Sequence, residues 1–276
     1  MAAKTPKNPE FASWNSYSEF ARKVRFSSRY VLGSEERQFL DTVLATIRNR
    51  DGELKAGDIL YRAQRGVDWV DQTDSEGEWI GEDVWGFSSS RMKPFADRAK
   101  EGRANPIGIP VLYVGSSVEV AISEVRPWVG AEVSVAKCRI LKPLKTLDLS
   151  LGHGKSSFQG PVFSHVMSEG SKPLTAAEKE TAVWIGIDNA FSQPVTLSDD
   201  RADYAPTQIL AELFRHHGYD AIGYKSQFGD DGDKKGYNIA IFDPDAVEIV
   251  TCVPYRVETI KVTAKQIGND WYKGSK

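Results

Sequence analysis

The chain has 276 residues, of which 41% are hydrophobic and 26% are charged, a balance that is ordinary for a globular protein. Its formal net charge of -3 argues against a general attraction to nucleic acid or acidic membranes, so an anionic ligand would have to be held by local arginines. Two cysteines, Cys138 and Cys252, form neither a disulfide framework nor a metal-ligand pair, and no apolar run is long enough for a signal or membrane-spanning segment. We therefore expect a cytoplasmic protein with free thiols and no metal site.

Residues 1–56 have the pattern of two helices. A capping-box pattern at Ser16 begins the first, and Ser34 can begin the second. The second helix has one apolar face, formed by Phe39, Leu40, Val43, Leu44 and Ile47. Because two such helices cannot bury their apolar faces alone, we expect an N-terminal helical extension that packs on a main domain of residues 57–276.

The main domain begins with a predicted strand, Ile59 to Gln64, which contains Arg62. An arginine in a strand is expensive to bury unless it is paired, and the alternative is an edge-strand arginine that reaches solvent. The acidic, tryptophan-containing stretch from Asp68 to Asp83 follows. It is interpreted as a long loop, which is either a lid over a ligand or, as we favour, variable decoration.

The stretch Gly102 to Pro127, GRANPIGIPVLYVGSSVEVAISEVRP, is the part of the chain on which the functional prediction rests. A Gly/Pro-rich polar loop leads into a predicted strand from Ile109 to Val114. A capping box at Ser116 then begins a predicted helix. Pro127 cannot continue a helix, so this helix should end at about residue 126.

Glu124 falls beside the apolar face of that helix. The face consists of Val118, Ala121, Ile122 and Val125. A carboxylate in this position is partly desolvated and needs a partner, which Arg103 or Asn105 could supply. The alternatives are that Glu124 is a half-exposed surface residue and that Tyr113, in the preceding strand, is a core residue.

The remaining chain mixes strands and helices. Strands are predicted over 133–140, 144–149, 221–224 and 238–243, helices over 175–190 and from Thr207, and two further β-rich runs in 247–267. His216 and His217 end the second of these helices, where a cation is favoured, so we do not interpret them as metal ligands. Residues 229–236 are a predicted hairpin turn, and Ser226 lies just after the strand at 221–224. Since the elements do not alternate as regular βαβ units, the predicted class is α+β.

Three blocks of this sequence resemble the RES domain family, which is named for its Arg, Glu and Ser. The first block is GRANPIGIPVLY followed by SEVRP, and the second is YAPTQILAELFRHHGYDAIGYKSQ followed by GYNIAIFDPD. The third, weaker block is LYRAQ, which carries Arg62. Together the matches span roughly 57–250, and the serine of the family name falls on Ser226.

The resemblance implies a fold similar to ADP-ribosyltransferases, with two small sheets packed around an NAD-sized cleft. It implies degradation of NAD+, which is the substrate and not a cofactor, by cleavage of the nicotinamide–ribose bond through hydrolysis or phosphorolysis. In this reading Glu124 stabilises the positive charge that develops on the ribose. Arg62 and Arg103 bind the pyrophosphate.

The same resemblance suggests roles for three further residues. Tyr113 packs on the nicotinamide ring while its hydroxyl orients the ribose. Ser226 bonds a phosphate or the carboxamide, and Asn105 contributes to substrate binding. The catalytic set predicted from the sequence is thus Glu124, Arg103, Tyr113 and Ser226.

Family members are typically toxins of bacterial toxin–antitoxin pairs, so the resemblance also implies a DNA-binding antitoxin as partner, with no direct contact to nucleic acid or membrane. A homo-oligomer is possible within such an assembly. Two other interpretations stay open. One is an ADP-ribosyltransferase that modifies a protein or a small acceptor, and the other is a non-catalytic nucleotide-binding module. The combination of Arg, Tyr, Glu and Ser favours an enzyme.

Overall fold

In the computed structural model, the chain is described over residues 10–95, 97–168, 172–192, 201–226, 236–261, 264 and 266–268. Its α-helices are α1 (Ser16–Phe26), α2 (Ser34–Ala45), α3 (Val118–Glu124), α4 (Pro161–Met167), α5 (Ala176–Ser192) and α6 (Ala205–His216). Its strands are β1 (Asp51–Leu54), β2 (Ile59–Arg65), β3 (Asp68–Thr73), β4 (Trp79–Trp85), β5 (Leu112–Gly115), β6 (Glu132–Ile140), β7 (Leu144–Asp148), β8 (Ala221–Lys225), β9 (Tyr237–Ile241) and β10 (Val247–Arg256). The predicted α+β class is confirmed.

Eight strands form one sheet in the order β1-β7-β8-β9-β5-β2-β6-β10, and β3 pairs with β4 in a separate ribbon. The large sheet is nearly divided in two, because β2 and β5 are in register at one pair only, Tyr61 with Gly115. By contrast, β2 pairs with β6 along its whole length, from Ile59 to Arg65. A five-stranded half and a three-stranded half therefore diverge on either side of this junction, which agrees with the prediction of two small sheets around a cleft.

The largest apolar cluster covers one face of the five-stranded half. Phe20 and Val24 of α1 and Phe39 and Val43 of α2 share this cluster with Phe214 of α6. The N-terminal helices thus pack on the main body, as the sequence predicts. A continuous apolar core joins the N-terminal helices to the sheet.

Two further contacts attach the N-terminal region. Arg50 donates to both carboxylate oxygens of the buried Asp188, at 2.7 and 3.1 Å, and its guanidinium lies over the ring of Trp184. Strand β1, which precedes the predicted boundary at residue 57, pairs antiparallel with β7. The boundary itself stays a prediction.

Several element boundaries differ from the sequence predictions. Helix α3 has its N-cap at Ser117, whose hydroxyl accepts a hydrogen bond from the Val120 amide at 3.2 Å, one residue later than predicted. Helix α6 begins at Ala205, so Thr207 lies inside the helix and donates to the Tyr204 carbonyl. Pro206, in the first turn, fits such a start because its missing N–H has no partner to lose there.

The stretch Asp68 to Asp83 is not a long loop. It forms most of the β3–β4 hairpin, whose turn is closed by Asp74 through hydrogen bonds from the amides of Glu76 and Glu78. Both strands combine large apolar residues with carboxylates and are exposed along most of their length. The acidic composition of the stretch concealed their strand character. Of the two β-rich runs predicted in 247–267, the first is β10, and the described residues after Arg256 contain no second strand. Most of the predicted turn at 229–236 lies outside the described residues.

Candidate active site

A cleft of about 440 Å³ opens where β2 and β5 diverge. This volume is within the range of small-molecule sites. Among the residues that line the cleft are Arg62, Arg103, Tyr113, Glu124, Tyr224 and Asn238. Four of the predicted site residues therefore meet in one place, although they come from different parts of the fold.

Glu124 is the last residue of α3, and one of its oxygens is held by two neutral donors. Its Oε1 accepts from the Ser226 hydroxyl at 2.9 Å and from the Asn238 amide at 2.6 Å. Ser226 follows β8 and Asn238 lies in β9, and both are buried. Among the described residues Oε2 has no hydrogen-bond partner, so the carboxylate is fixed through one oxygen and can offer the other to a ligand.

Helix α3 can approach β5 because of a glycine. A Cβ added at Gly115 would lie 2.9 Å from the Ala121 amide and 2.9 Å from Val120 Cγ1. Both distances are too short for van der Waals contact. The apolar face of α3 packs against Ala63, Val133 and Val135, as its helical spacing predicts. The end of α3, with Glu124, is thereby positioned at the cleft.

The loop before β5 uses its polar side chains internally. The Tyr113 hydroxyl donates to Asn105 Oδ1 at 2.7 Å and accepts from the Ala104 amide at 2.9 Å. Asn105 Nδ2 donates to the carbonyls of Lys100, Pro106 and Ile109. The side chain of Asn105 is buried, is absent from the cleft lining and has its hydrogen-bonding groups occupied. This geometry supports a positioning role and not the predicted direct contact with substrate.

Tyr113 can contact a ligand with its ring, whereas its hydroxyl is occupied by hydrogen bonds to the loop. Burial raises the pKa of Tyr113, although the Ala104 amide and the charges of Arg103 and Arg62 oppose this rise. The Tyr113 hydroxyl is therefore neutral, and its two hydrogen bonds hold the loop before β5 in place. The predicted orientation of a ribose by this hydroxyl is not supported, whereas packing of the ring against a ligand remains compatible with its position.

Sequence reasoning missed the residue that joins this loop to the rest of the fold. Gln208 of α6 donates from Nε2 to the carbonyls of Gly102 and Asn105, both at 3.0 Å. A Cβ added at Gly102 would lie 2.5 Å from the Tyr113 hydroxyl, which explains the glycine there. Gln208 stands in the YAPTQ segment of the second family-like block, and that position is the signal that could have found it.

Arg62 and Arg103, both predicted from the sequence, are two of the three arginines that line the cleft. Arg62 donates from Nη1 to the Tyr113 carbonyl at 3.4 Å, and its buried Nε has no hydrogen-bond partner among the described residues. Burial lowers the pKa of Arg62, and the nearby Cys138 and Tyr113 only partly oppose this. Arg103 donates from Nη1 to the Phe191 carbonyl. These groups can bind an anion. An anion that accepted a hydrogen bond from Arg62 Nε would remove the free-energy cost of burying that donor without a partner.

Three other lining residues were not predicted. Asn238 holds Glu124, and it opens the N-x-x-x-F strand of the resemblance, so its position was visible in the sequence. Tyr224 of β8 lies 6.3 Å from the Phe191 ring and presents an aromatic wall. Arg126 follows α3 with a left-handed φ of 47°. No pattern in the sequence indicates that backbone conformation.

The described part of the chain was expected to hold no metal site, no membrane span and no disulfide. No group of three or more His, Cys, Asp or Glu residues there could hold a metal ion. No described helix has the length and apolar character needed to cross a membrane. Both cysteines are free. Burial raises the pKa of the Cys138 thiol to about 11, so it is protonated at neutral pH and is not a nucleophile.

The chain has similarities to known proteins in both sequence and structure. Among solved structures, the chain is similar to one in the crystal structure of the M. tuberculosis MbcT–MbcA toxin–antitoxin complex, with 13% identity, a TM-score of 0.38, and coverage of 78% of this chain and 92% of that chain. No curated protein matches the sequence. The RES domain model matches residues 83–260, which include Arg103, Tyr113, Glu124 and Ser226 but not Arg62. Because that match covers more than half of its length, the chain belongs to the RES domain family.

Proposed function

We propose that this protein degrades NAD+ by cleaving the bond between nicotinamide and ribose, with water or phosphate as acceptor. The observation that carries the proposal is the Glu124 carboxylate at the cleft, fixed through one oxygen by Ser226 and Asn238 and free of other partners at Oε2 in the described structure. Membership of the RES domain family supports it.

In the proposed reaction the C1′–N bond breaks and nicotinamide leaves with the bonding electrons. The ribose passes through an oxocarbenium-like state, as in glycoside cleavage, and water or phosphate then attacks C1′. Glu124 stabilises the developing positive charge by its fixed negative charge, and no covalent nucleophile is required. Ser226 acts as a positioning residue for this carboxylate, a role that replaces the direct substrate contact expected from the sequence.

The guanidiniums of Arg62 and Arg103 are proposed to bind the pyrophosphate of NAD+. The unpartnered Nε of Arg62 supports this assignment, because a buried donor without a partner is unfavourable until an acceptor arrives. The rings of Tyr113 and Tyr224, on the cleft wall, are suited to pack against the flat bases.

We further propose that the enzyme is the toxin of a toxin–antitoxin pair and that a DNA-binding antitoxin neutralises it. The family resemblance carries this part, and the charge of the chain, -3, gives the toxin itself no reason to bind DNA. Co-expression with the neighbouring gene tests it directly. Rescue of growth by that gene, together with a stable complex, is the expected result.

The deciding experiment measures nicotinamide release from NAD+ by purified protein, with and without inorganic phosphate. Glu124→Gln should lower the rate by at least ~100-fold, the scale for one group that stabilises a transition state. Its side-chain oxygen can still accept from Ser226 and Asn238, so the fold should be kept. Glu119→Gln, an exposed position on the same helix, is the matched control and should leave the rate unchanged.

The products identify the acceptor. ADP-ribose indicates water, its 1″-phosphate indicates phosphate, and labelled ADP-ribose on a macromolecule would instead establish the transferase. An unchanged rate in Glu124→Gln would refute the catalytic assignment of this residue.

A further inference from the structure

The β3–β4 hairpin, residues 68–85, presents an uncovered surface that the cleft does not use. We call it the acidic tryptophan ribbon. Large apolar side chains are exposed on it: Trp69 at 52%, Val70 at 47%, Trp79 at 63%, Ile80 at 60% and Trp85 at 59%. Contiguous exposed apolar side chains mark interaction sites more often than scattered ones do. Most of the ribbon precedes the residues matched by the family model.

The charge of the ribbon has one sign. Residues 68–85 contain seven carboxylates, from Asp68, Asp71, Asp74, Glu76, Glu78, Glu82 and Asp83, and no Lys, Arg or His. Asp68, at the base, pairs with Arg91 at 3.3 Å. Within the described structure none of the other six forms an ion pair.

One face of the ribbon combines both features. Directly opposed residues of an antiparallel pair share a face, and the register opposes Asp71 to Glu82, Trp69 to Val84 and Thr73 to Trp79. Two carboxylates therefore face each other across the strands, with an indole on either side along the ribbon. Trp79 Nε1 donates to Asp71 Oδ1 at 3.0 Å, which fixes one of these rings beside the carboxylate pair.

This arrangement is unfavourable in the free protein and suited to a cation. Like charges that are directly opposed across a strand pair destabilise it. A guanidinium or ammonium placed between Asp71 and Glu82 would neutralise both, and the neighbouring indoles could add cation–π contact. We propose that the acidic tryptophan ribbon is the docking site for a cationic segment of a partner protein, in which Lys or Arg alternates with apolar residues.

The same features disfavour other occupants. Nucleic acid and anionic lipid would be repelled by the carboxylates. Two copies of the chain that met ribbon to ribbon would oppose seven carboxylates to seven. Charge complementarity thus selects a basic polypeptide. This inference is independent of the proposed catalytic function, since no cleft residue takes part in it.

The test is a selection of random 12-residue phage-displayed peptides on the full-length chain. We expect enriched peptides to carry Lys or Arg next to aromatic or aliphatic residues. A representative synthetic peptide should bind at least about tenfold more weakly to Glu82→Gln and to Trp79→Ala, and more weakly to the wild type as salt rises. Glu53→Gln, the same change at an exposed carboxylate of β1, is the control and should bind like the wild type.

Two readouts separate docking from folding. Glu82→Gln should not lower the melting temperature, because it removes a repulsion, while its peptide affinity falls. The proposal is overturned if no cationic peptide is enriched, or if enriched peptides bind Glu82→Gln and Trp79→Ala as tightly as they bind the wild type. Sedimentation that shows a dimer abolished by Trp79→Ala would also overturn it and assign the ribbon to a second copy.

Discussion

Arg62 has a buried hydrogen-bond donor that a bound ligand could pair. Its Nε is buried without a partner, and burial lowers its pKa. We expect Arg62→Lys to raise the KM for NAD+ about tenfold or more, with a smaller change in kcat, because an ammonium cannot reproduce the hydrogen-bonding fork of a guanidinium. Steady-state nicotinamide release measures both constants.

The matched control for this substitution is Arg65→Lys, at the exposed end of the same strand. It should leave both constants unchanged. If Arg62→Lys kept the KM of the wild type, Arg62 would be a structural arginine and the pyrophosphate would have to be bound elsewhere.

For single residues, the sequence indicated which side chains belong to the candidate site but not which hydrogen bonds they form. Glu124 and Ser226 were both predicted, and a 2.9 Å hydrogen bond joins them. Asn105 was predicted as a ligand contact, but three backbone carbonyls of its own loop use its amide. The sequence pattern of a polar residue in a Gly/Pro-rich loop is the same whether its side chain contacts a ligand or the loop itself. Only the folded loop determines which backbone carbonyls are left without a donor.

At the scale of elements, α6 is connected to the loop before β5 by the side chain of Gln208. Gln208 donates to the carbonyls of Gly102 and Asn105, and its side chain is buried. Gln208→Leu should destabilise the protein by about 2 kcal/mol, since it leaves both carbonyls without this donor. It should also slow nicotinamide release, because Arg103 lies on the loop that Gln208 holds and the Tyr113 hydroxyl is hydrogen-bonded to the same loop.

Urea unfolding and steady-state kinetics measure the two effects. Glu212→Leu, at an exposed position of the same helix, is the control and should change neither quantity by much. Loss of stability with unaltered kinetics would show that the loop keeps its geometry without Gln208.

Helical elements were the easier ones to predict. The apolar face of α3 and the Thr175–Glu178 cap before α5 are both present, the latter with a Thr175 amide that donates to the Glu178 carboxylate at 2.8 Å. Strand β1 and the acidic tryptophan ribbon were missed. These strands are stabilised by pairing with a partner strand, and no local periodicity of the sequence indicates that pairing.

For the whole molecule, the decisive feature is non-local. The cleft exists because β2 and β5 are in register at a single pair, and β2 reaches that junction from a part of the chain about 50 residues away. The resemblance implied two sheets around a cleft, but neither the strand order nor the position of the junction follows from local patterns. For the N-terminal helices too, the sequence indicated the apolar faces but not the elements of the fold against which these faces pack.

Those helices are expected to unfold together with the rest of the protein. The Phe20 ring stacks on Phe39 with centroids 4.6 Å apart, inside the cluster that also contains residues of α5 and α6. Phe20→Ala should therefore lower the free energy of unfolding by about 3–5 kcal/mol. It should shift one cooperative urea transition, seen identically by far-UV circular dichroism and by tryptophan fluorescence.

Tyr30→Ala, at a side chain that is 92% exposed, removes an aromatic ring from the same region and should change the free energy of unfolding by less than about 0.5 kcal/mol. If residues 1–56 were instead an independent unit, Phe20→Ala would split the transition in two and leave the second midpoint where it is in the wild type. A single shifted transition would mean that the boundary predicted at residue 57 separates two parts of the chain but not two folding units, because the core crosses it.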